Sequence, residues 1–289
     1  MNKPDYVAPT SLEVALEILG KGTDGTQIIA GGTDLVPRMR SRLSEPALLL
    51  DLRLLGLDGI QMDSEGLHIG ARTTHTDILE SSLLAEHYPA LCEAAADIAG
   101  PPIRNRGTVG GNLVNASPAA DLAPPLLVYD ARVVLAKAGS QREIPLLDFF
   151  TGPGQTVLSA DEILTEILVP PAPPRTAARF IKLGKRKAMA VAVVSVTARL
   201  TLDQAGKISQ ARIALGSVAP TPIRAREAEA GLEGQSPSTA LFTEAGEIAK
   251  NESSPISDIR ASGSYRKKMV AVLTRRALEA AWQQLAGGA

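Results

Sequence analysis

Cysteine is almost absent from this sequence: its 289 residues include only Cys92. One thiol cannot form a disulfide within the chain, and one thiolate cannot hold a zinc ion or an iron–sulfur cluster by itself. Disulfides are typical of proteins in oxidising compartments, and a chain with one cysteine does not favour such a location. We therefore expect a cytoplasmic protein with no metal cluster of its own.

Aromatic residues, surplus basic charge and long apolar runs are also lacking. Aromatic residues make up 3% of the chain, and 30 Lys and Arg side chains are balanced by 31 Asp and Glu. We therefore expect no stacking platform or basic surface for nucleic acid. No segment approaches the ~20 apolar residues of a membrane helix, and the N-terminal segment lacks the apolar core of a signal peptide. The spacing of His68, His75 and His87 fits no metal site or catalytic triad, so ordinary core or surface roles are expected.

Glycine, in contrast, is concentrated in two clusters. The first is AGGTDL at residues 30–35, and it directly follows an apolar run at residues 28–30. The second lies within residues 104–127, and it combines Gly107, Gly110 and Gly111 with short polar side chains before it ends near Asp121. Bare glycines let a backbone approach a ligand and turn its N–H groups toward it, while Ser, Thr and Asn add short donors. Two such loops in one chain would be able to hold the two phosphates of one dinucleotide.

Each cluster also has a purely structural interpretation. The Gly31-Gly32 pair is compatible with a simple tight turn, since it matches neither the GxGxxG pattern nor a P-loop. The second cluster favours a ligand more strongly, because Asn112, Asn115 and Ser117 are costly in a packed core unless something satisfies them. Asp121 is either a residue at a helix N-terminus or an acceptor for ribose or ribityl hydroxyls.

The order of predicted elements indicates an α+β protein with several subdomains. Residues 1–55 predict a small α/β unit whose helix starts with a capping box at Thr10 and Glu13. Residues 56–169 predict short strands, helices and the second glycine cluster. Residues 170–176 are a proline-rich linker, since prolines cannot donate backbone hydrogen bonds and hold the chain extended. Residues 177–289 predict an antiparallel sheet covered by helices, with a hairpin turn at residues 203–206.

The two motifs together resemble the flavin-binding signatures of the FAD subunit of molybdenum hydroxylases, the family of xanthine dehydrogenase and aerobic carbon monoxide dehydrogenase. The resemblance rests on AGGTDL at residues 30–35 and on TVGGNLVNASPAADLAPPL at residues 108–126, and it extends over nearly the whole chain. It implies a PCMH-type FAD-binding fold of two subdomains, followed by the C-terminal α+β domain.

The resemblance also implies which residues contact FAD. In the first motif they are Ile28, Ile29, Ala30, Gly31, Gly32, Thr33, Asp34 and Leu35. In and before the second motif they are Ile98, Ala99, Thr108, Gly110, Gly111, Asn112, Val114, Asn115, Ser117, Ala120 and Asp121. Two shorter matches add Leu164 and Lys182. Ala120 stands where some relatives carry a hydroxyl, so one side-chain hydrogen bond of the family is not expected here.

The function implied by the resemblance is electron transfer. In this family a large molybdopterin-binding subunit hydroxylates the substrate, a small subunit carries two-iron clusters, and FAD on the medium subunit passes electrons to a terminal acceptor. The resemblance implies these two partners and a dimer of heterotrimers, and no catalytic or metal-binding residue on this chain. Two alternatives remain open, namely a stand-alone FAD-dependent oxidase and a nucleotide-binding module without turnover.

Overall fold

The computed structural model describes residues 3–22 and 25–287. The N-terminal elements are β1 (Asp5–Val7), α1 (Leu12–Gly20), β2 (Thr26–Ile29), α2 (Leu35–Arg40) and β3 (Leu48–Asp51). The three strands form a parallel sheet in the order β1-β3-β2. Ala15, Leu16 and Leu19 of α1 are buried with Leu50 of β3, because the apolar positions of this helix lie on one face. The glycine turn at residues 30–34 follows the carboxyl end of β2.

The start of α1 lies one residue later than the sequence suggests. The N-cap is Ser11, whose side chain accepts a hydrogen bond from the backbone N–H of Val14. The expected capping box at Thr10 and Glu13 is therefore wrong by one position. Thr and Ser are both good N-caps, so sequence alone does not choose between neighbours.

A second, larger region surrounds a five-stranded sheet. Its elements are β4 (Ile60–Met62), β5 (Leu67–Gly70), α3 (His75–Glu80), α4 (Ser82–His87), α5 (Pro89–Ala96), α6 (Pro101–Arg104), α7 (Val109–Val114), α8 (Ala123–Val128), β6 (Arg132–Lys137), β7 (Ser140–Pro145), α9 (Leu146–Phe149), β8 (Phe150–Gly152), β9 (Gln155–Thr156) and β10 (Ile163–Val169). The strand order is β4-β5-β10-β6-β7, with antiparallel pairing throughout. The apolar helices α5 and α8 are buried in its core.

Residues 170–175 contain no helix or strand and connect this region to the C-terminal one. The C-terminal elements are β11 (Thr176–Leu183), β12 (Val194–Leu202), β13 (Ile208–Gly216), β14 (Ile223–Arg224), α10 (Arg226–Leu232), α11 (Thr239–Glu252) and α12 (Gly263–Gly287). The strands form an antiparallel sheet in their sequence order, and the helices pack on it. The α+β class and the helix-covered antiparallel sheet are therefore confirmed. The hairpin turn after β12 is closed by Asp203 and Lys207, as expected.

Three elements differ from the sequence prediction. Residues 109–114 form a helix rather than a loop, because Thr108 caps it by accepting a hydrogen bond from the N–H of Gly111. The strand β7 is polar and exposed, so it lacks the apolar alternation by which strands are recognised. The sequence pattern predicts a helix over residues 223–232, whereas Ile223 and Arg224 form a short strand and the helix begins only at Arg226.

No helix in residues 3–22 and 25–287 combines the length and the apolar character needed to span a bilayer.

Candidate functional site: a cavity between two glycine turns

The two glycine turns are in direct backbone contact. A Cβ atom added to Gly31 would lie 2.7 Å from the carbonyl carbon of Arg106 and 3.0 Å from Cα of Gly107. Real Cβ atoms do not approach other carbons so closely, so only glycine fits here. Gly32 has a φ of +72°, a conformation that residues with a side chain rarely adopt. The sequence therefore uses glycine at both positions for a backbone reason.

The first turn presents free donors. Within residues 3–22 and 25–287, no acceptor is found for the backbone N–H groups of Gly31, Gly32, Thr33 and Asp34. Successive N–H groups without partners in a turn form an anion-binding concavity. This arrangement is suited to a phosphate without any lysine.

The second turn is held in place by the segment just before α3. Val109 N–H donates to the carbonyl of Thr73 at 2.9 Å, and Gly110 N–H donates to that of Ala71 at 2.8 Å. His75 N–H donates in the other direction, to the carbonyl of Gly107 at 3.0 Å. A Cβ at Gly110 would lie 2.8 Å from Cβ of Ala71. Gly110 is therefore needed for close packing, and the backbone of this turn is fixed before any ligand binds.

A cavity of about 580 Å³ opens between the two turns. Most of the residues predicted from the sequence line it, including the entire first motif. The predicted residues in the lining are Ile28, Ile29, Ala30, Gly31, Gly32, Thr33, Asp34, Leu35, Ile98, Thr108, Gly110, Gly111, Asn112, Val114, Asn115 and Leu164. The structure thus brings together segments that are far apart in the sequence.

Five predicted residues lie outside this lining. Ala99 and Lys182 line a neighbouring cavity of about 710 Å³, which also includes the exposed run at residues 185–187. Ala99 has a φ of +40°, an uncommon conformation for a residue with a side chain. Ser117 and Ala120 shape the turn after α7, where the N–H of Ala120 donates to the carbonyl of Ser117 at 3.0 Å.

Asp121, the fifth residue, forms a buried ion pair with Lys182. The ammonium group of Lys182 donates to Oδ2 of Asp121 at 2.6 Å, and it also donates to the carbonyl of Asp97 at 2.9 Å. Burial raises the pKa of Asp121 to about 6, while the charge of Lys182 acts in the opposite direction. Oδ1 of Asp121 is buried and has no partner among the described residues. That oxygen is an unsatisfied acceptor, as expected for an atom that accepts from a ligand hydroxyl.

His75 is a cavity residue that the sequence analysis assigned to an ordinary role. It lines the cavity, is only 4% exposed, and packs its ring against Gly107. Burial lowers its pKa to about 4, and the nearby charge of Arg104 acts in the same direction. The imidazole is therefore neutral at pH 7. Its position depends on the long-range pairing of residues 71–75 with residues 107–110, which no local sequence signal reveals.

Other lining residues also escaped the sequence analysis. They include Leu19, Gln27, Arg38, Leu52, Leu158, Ser159, Glu162 and Ile163. These side chains belong to no recognisable motif. In the described part of the chain, no group of three or more His, Cys, Asp or Glu side chains is arranged to hold a metal ion.

The residues present fit a dinucleotide. The first turn offers free N–H groups where an anion would lie. Oδ1 of Asn112, beside the second turn, is buried and has no partner among the described residues. Glycine at position 31 keeps the space between the turns clear of side chains. These features suit phosphates and hydroxyl groups.

Comparison with known proteins identifies the family. Residues 2–172 match the family described as FAD binding domain in molybdopterin dehydrogenase, and residues 179–281 match the CO dehydrogenase flavoprotein C-terminal domain. The chain is 36% identical over 275 residues to subunit alpha of the 6-hydroxypseudooxynicotine dehydrogenase complex of Paenarthrobacter nicotinovorans, covering 95% of this chain and 93% of that protein. It is 34% identical over 279 residues to the xanthine dehydrogenase FAD-binding subunit of Escherichia coli O157:H7, covering 96% and 95%.

Similarity to a solved structure indicates the same family. The chain resembles a carbon monoxide dehydrogenase from Hydrogenophaga pseudoflava that lacks the Mo-pyranopterin moiety of the molybdenum cofactor. The TM-score is 0.93 at 34% identity, over 97% of this chain and 98% of that chain. These relatives are dehydrogenase subunits, and the similarity extends over both halves of the sequence. The chain belongs to the FAD-binding, medium-subunit family of the molybdenum hydroxylases, and it is a flavoprotein subunit of an oxidoreductase.

Proposed function

We propose that this chain carries electrons from the iron–sulfur clusters of a small partner subunit, through FAD, to a terminal acceptor. A large molybdopterin-binding subunit would hydroxylate the substrate, and the complex would be a cytoplasmic dimer of heterotrimers. The observation that carries the proposal is the contact between the two glycine turns, which face one cavity with several N–H groups left unpaired. Such an arrangement is suited to holding a cofactor that carries negative charge.

We assign the cofactor contacts as the two motifs predict. The N–H groups at residues 31–34, together with Gly111 and Asn112, would bind the diphosphate of FAD. The remaining contacts would come from Ile28, Ile29, Ala30, Leu35, Ile98, Ala99, Thr108, Gly110, Val114, Asn115, Ser117, Ala120 and Leu164. Asp121, held by Lys182, would accept a hydrogen bond from a hydroxyl group of the cofactor.

The contribution of the chain to the reaction is positioning and electrostatics. When bound, FAD supplies the capacity to take up and release electrons, and this chemistry belongs to the cofactor. The side chains keep water from the apolar part of the cavity, and the unpaired N–H groups stabilise negative charge. The neutral imidazole of His75 adds no charge to this wall.

We also propose that the chain is organised as the sequence analysis divides it, with boundaries near residues 55 and 169 and a linker at residues 170–176. The extended, strand-free course of residues 170–175 supports this division. It leaves the two glycine turns on different subdomains, so the cavity lies between them.

The proposal is tested by the partners and the redox behaviour of a tagged chain. We expect a large and a small polypeptide to copurify with it, and anaerobic addition of the substrate of the complex to bleach the flavin absorbance until an acceptor is added. Turnover by the chain alone would favour a stand-alone oxidase. A bound nucleotide that never changes its absorbance would favour a non-catalytic module.

A further inference from the structure

A short turn at residues 157–162 forms one wall of the cavity. Leu158, Ser159 and Glu162 all line it. The turn is closed on itself, because the N–H of Ser159 donates to Oε2 of Glu162 at 2.9 Å and the N–H of Glu162 donates to the carbonyl of Ser159 at 3.1 Å. The conformation of this wall therefore depends on where the carboxylate of Glu162 is held.

That carboxylate is held by Arg142 on the edge strand β7. Nε of Arg142 donates to Oε1 of Glu162 at 2.6 Å, and Nη2 donates to Oε2 at 2.8 Å. Nη2 also donates to the carbonyl of Val157 at 2.9 Å, so one guanidinium group joins both ends of the turn. Such paired, charge-assisted bonds are among the stronger hydrogen bonds in proteins.

The two partners differ in their exposure. The side chain of Glu162 is 4% exposed and that of Arg142 is 45% exposed. The hydrogen bonds from Arg142 hold the pKa of Glu162 below its usual value, so the carboxylate stays ionised at neutral pH. Arg142 thus neutralises a buried negative charge in the wall of a cavity suited to an anionic ligand. Without Arg142, the carboxylate would be buried without its partner, so it and the turn that it closes would move toward water.

The turn is followed directly by Ile163, which belongs to an apolar part of the cavity lining. Leu19, Leu52 and Ile163 are buried in one hydrophobic cluster, Ile28 packs against it, and all four line the cavity. The flat faces of a nucleobase are suited to such a lining. Ala99 and Lys182 line the neighbouring cavity instead, so we assign this apolar part of the lining to the adenine.

We propose that Arg142 is a positioning residue of the cofactor site, which acts through Glu162 to fix the turn that encloses the adenosine half of FAD. This inference rests on the proposed binding of FAD in the cavity. It concerns only the adenosine half of the cofactor, so an experiment can distinguish its failure from failure of the proposed function. Arg142 touches no ligand in this proposal, since its hydrogen bonds all go to Glu162 and Val157.

The test compares the affinities of the flavin-free chain for FAD, for ADP and for FMN, which lacks the adenosine half. In Arg142→Gln we expect the Kd for FAD and for ADP to rise at least tenfold, and the Kd for FMN to change less than twofold. Glu162→Gln should have a smaller effect, because it removes the charge and keeps an acceptor for Ser159. The double variant should bind FAD more tightly than Arg142→Gln alone, since no unpaired carboxylate remains.

Arg132→Gln is the matched control. Arg132 on β6 pairs with Glu143 on β7 at 3.1 Å, and their side chains are 42% and 46% exposed, so the loss of this pair should leave all three Kd values unchanged. Circular dichroism of each flavin-free variant checks folding. If Arg142→Gln does not fold, the Kd values of the double variant are compared with those of the wild type instead. An unchanged FAD Kd in Arg142→Gln and in the double variant, or an equal rise for FMN, would overturn the inference. A wild-type chain that does not bind FAD would instead overturn the proposed function.

Discussion

Gly31→Ala is the substitution whose effect can be worked out most directly from the structure. The added Cβ would lie 2.7 Å from the carbonyl carbon of Arg106, whereas non-bonded carbons prefer about 3.5–4.0 Å. The two glycine turns would therefore have to separate by about 1 Å. Overpacking of this kind costs about 1–3 kcal/mol. Since we propose that the turns also hold the ligand, the movement would misplace N–H groups on at least one side of the cavity.

The expected loss of FAD affinity follows from the hydrogen bonds affected. Hydrogen bonds to a charged group contribute about 1.5–3 kcal/mol each, and one or two of them would be weakened. Because every 1.4 kcal/mol is a factor of ten, we expect the Kd for FAD to rise by about 10- to 1,000-fold. The assay is titration of flavin-free protein with FAD, followed by the change in flavin fluorescence.

Gly231→Ala is the matched control for this experiment. Gly231 lies in α10, and a Cβ there would meet only Cδ1 of Ile248, at an ordinary 3.8 Å. This variant should bind FAD as the wild type does, and it should be slightly more stable because Ala favours helices. Wild-type affinity in Gly31→Ala would refute the reasoning, since it would mean that the contact between the turns does not matter for the ligand.

Two further predictions concern the buried His75 and also Asp130, whose side chain is 44% exposed and pairs with arginine side chains. His75→Gln should reduce the acid sensitivity of the flavin-free chain: the pKa of His75 is lowered from 6.5 to about 4, so the folded state binds fewer protons and stability falls as pH drops from 6.5 to 4. The free energy of unfolding, measured in urea, should therefore fall by up to about 3 kcal/mol less in the variant than in the wild type as the pH drops. An unchanged pH profile would contradict the lowered pKa of His75. Asp130→Asn should lower the free energy of unfolding by about 1–3 kcal/mol, because Asp130 accepts from Arg224 at 2.8 Å and pairs with Arg199 and Arg212. Asn tolerates the positive φ of this position, so an unchanged urea midpoint would mean that the charge contributes nothing.

The sequence was sufficient to predict elements whose signal is local. The strand at Leu67–Gly70 and the buried face of α1 follow from apolar periodicity, and the structure contains both. The glycine motifs were also recognisable, because backbone positions that only glycine can occupy produce clusters of glycine that are rare in a sequence. Helix α7 was missed for the same reason: two glycines in six residues argue against a helix, and only the cap at Thr108 and the packing against Ala71 override that preference.

Features that depend on distant pairs were not predictable. The contact of Gly31 with Arg106 and the ion pair of Arg142 with Glu162 join segments with no shared motif. His75 lines the cavity only because residues 71–75 pair with the second glycine turn. Asp121 is an intermediate case. The sequence pattern indicated that Asp121 is important, whereas Lys182 was indicated only by the family resemblance. The ion pair between these two residues is visible only in the structure.

The central claim, that the cavity between the two turns binds FAD, is tested most directly at Gly111. A Cβ there would meet one atom, the hydroxyl of Thr108 at 2.9 Å, so the Thr108 side chain would have to move slightly to accept any substitution. Gly111→Ala should lose only part of the affinity, because the Thr108 hydroxyl must shift to make room, while Gly111→Asp also adds a negative charge where we propose that the diphosphate binds. Two like charges near a protein surface repel by a few kcal/mol, so the FAD Kd of Gly111→Asp should rise about 100-fold or more. A purified Gly111→Asp chain that binds FAD as tightly as the wild type would contradict the account.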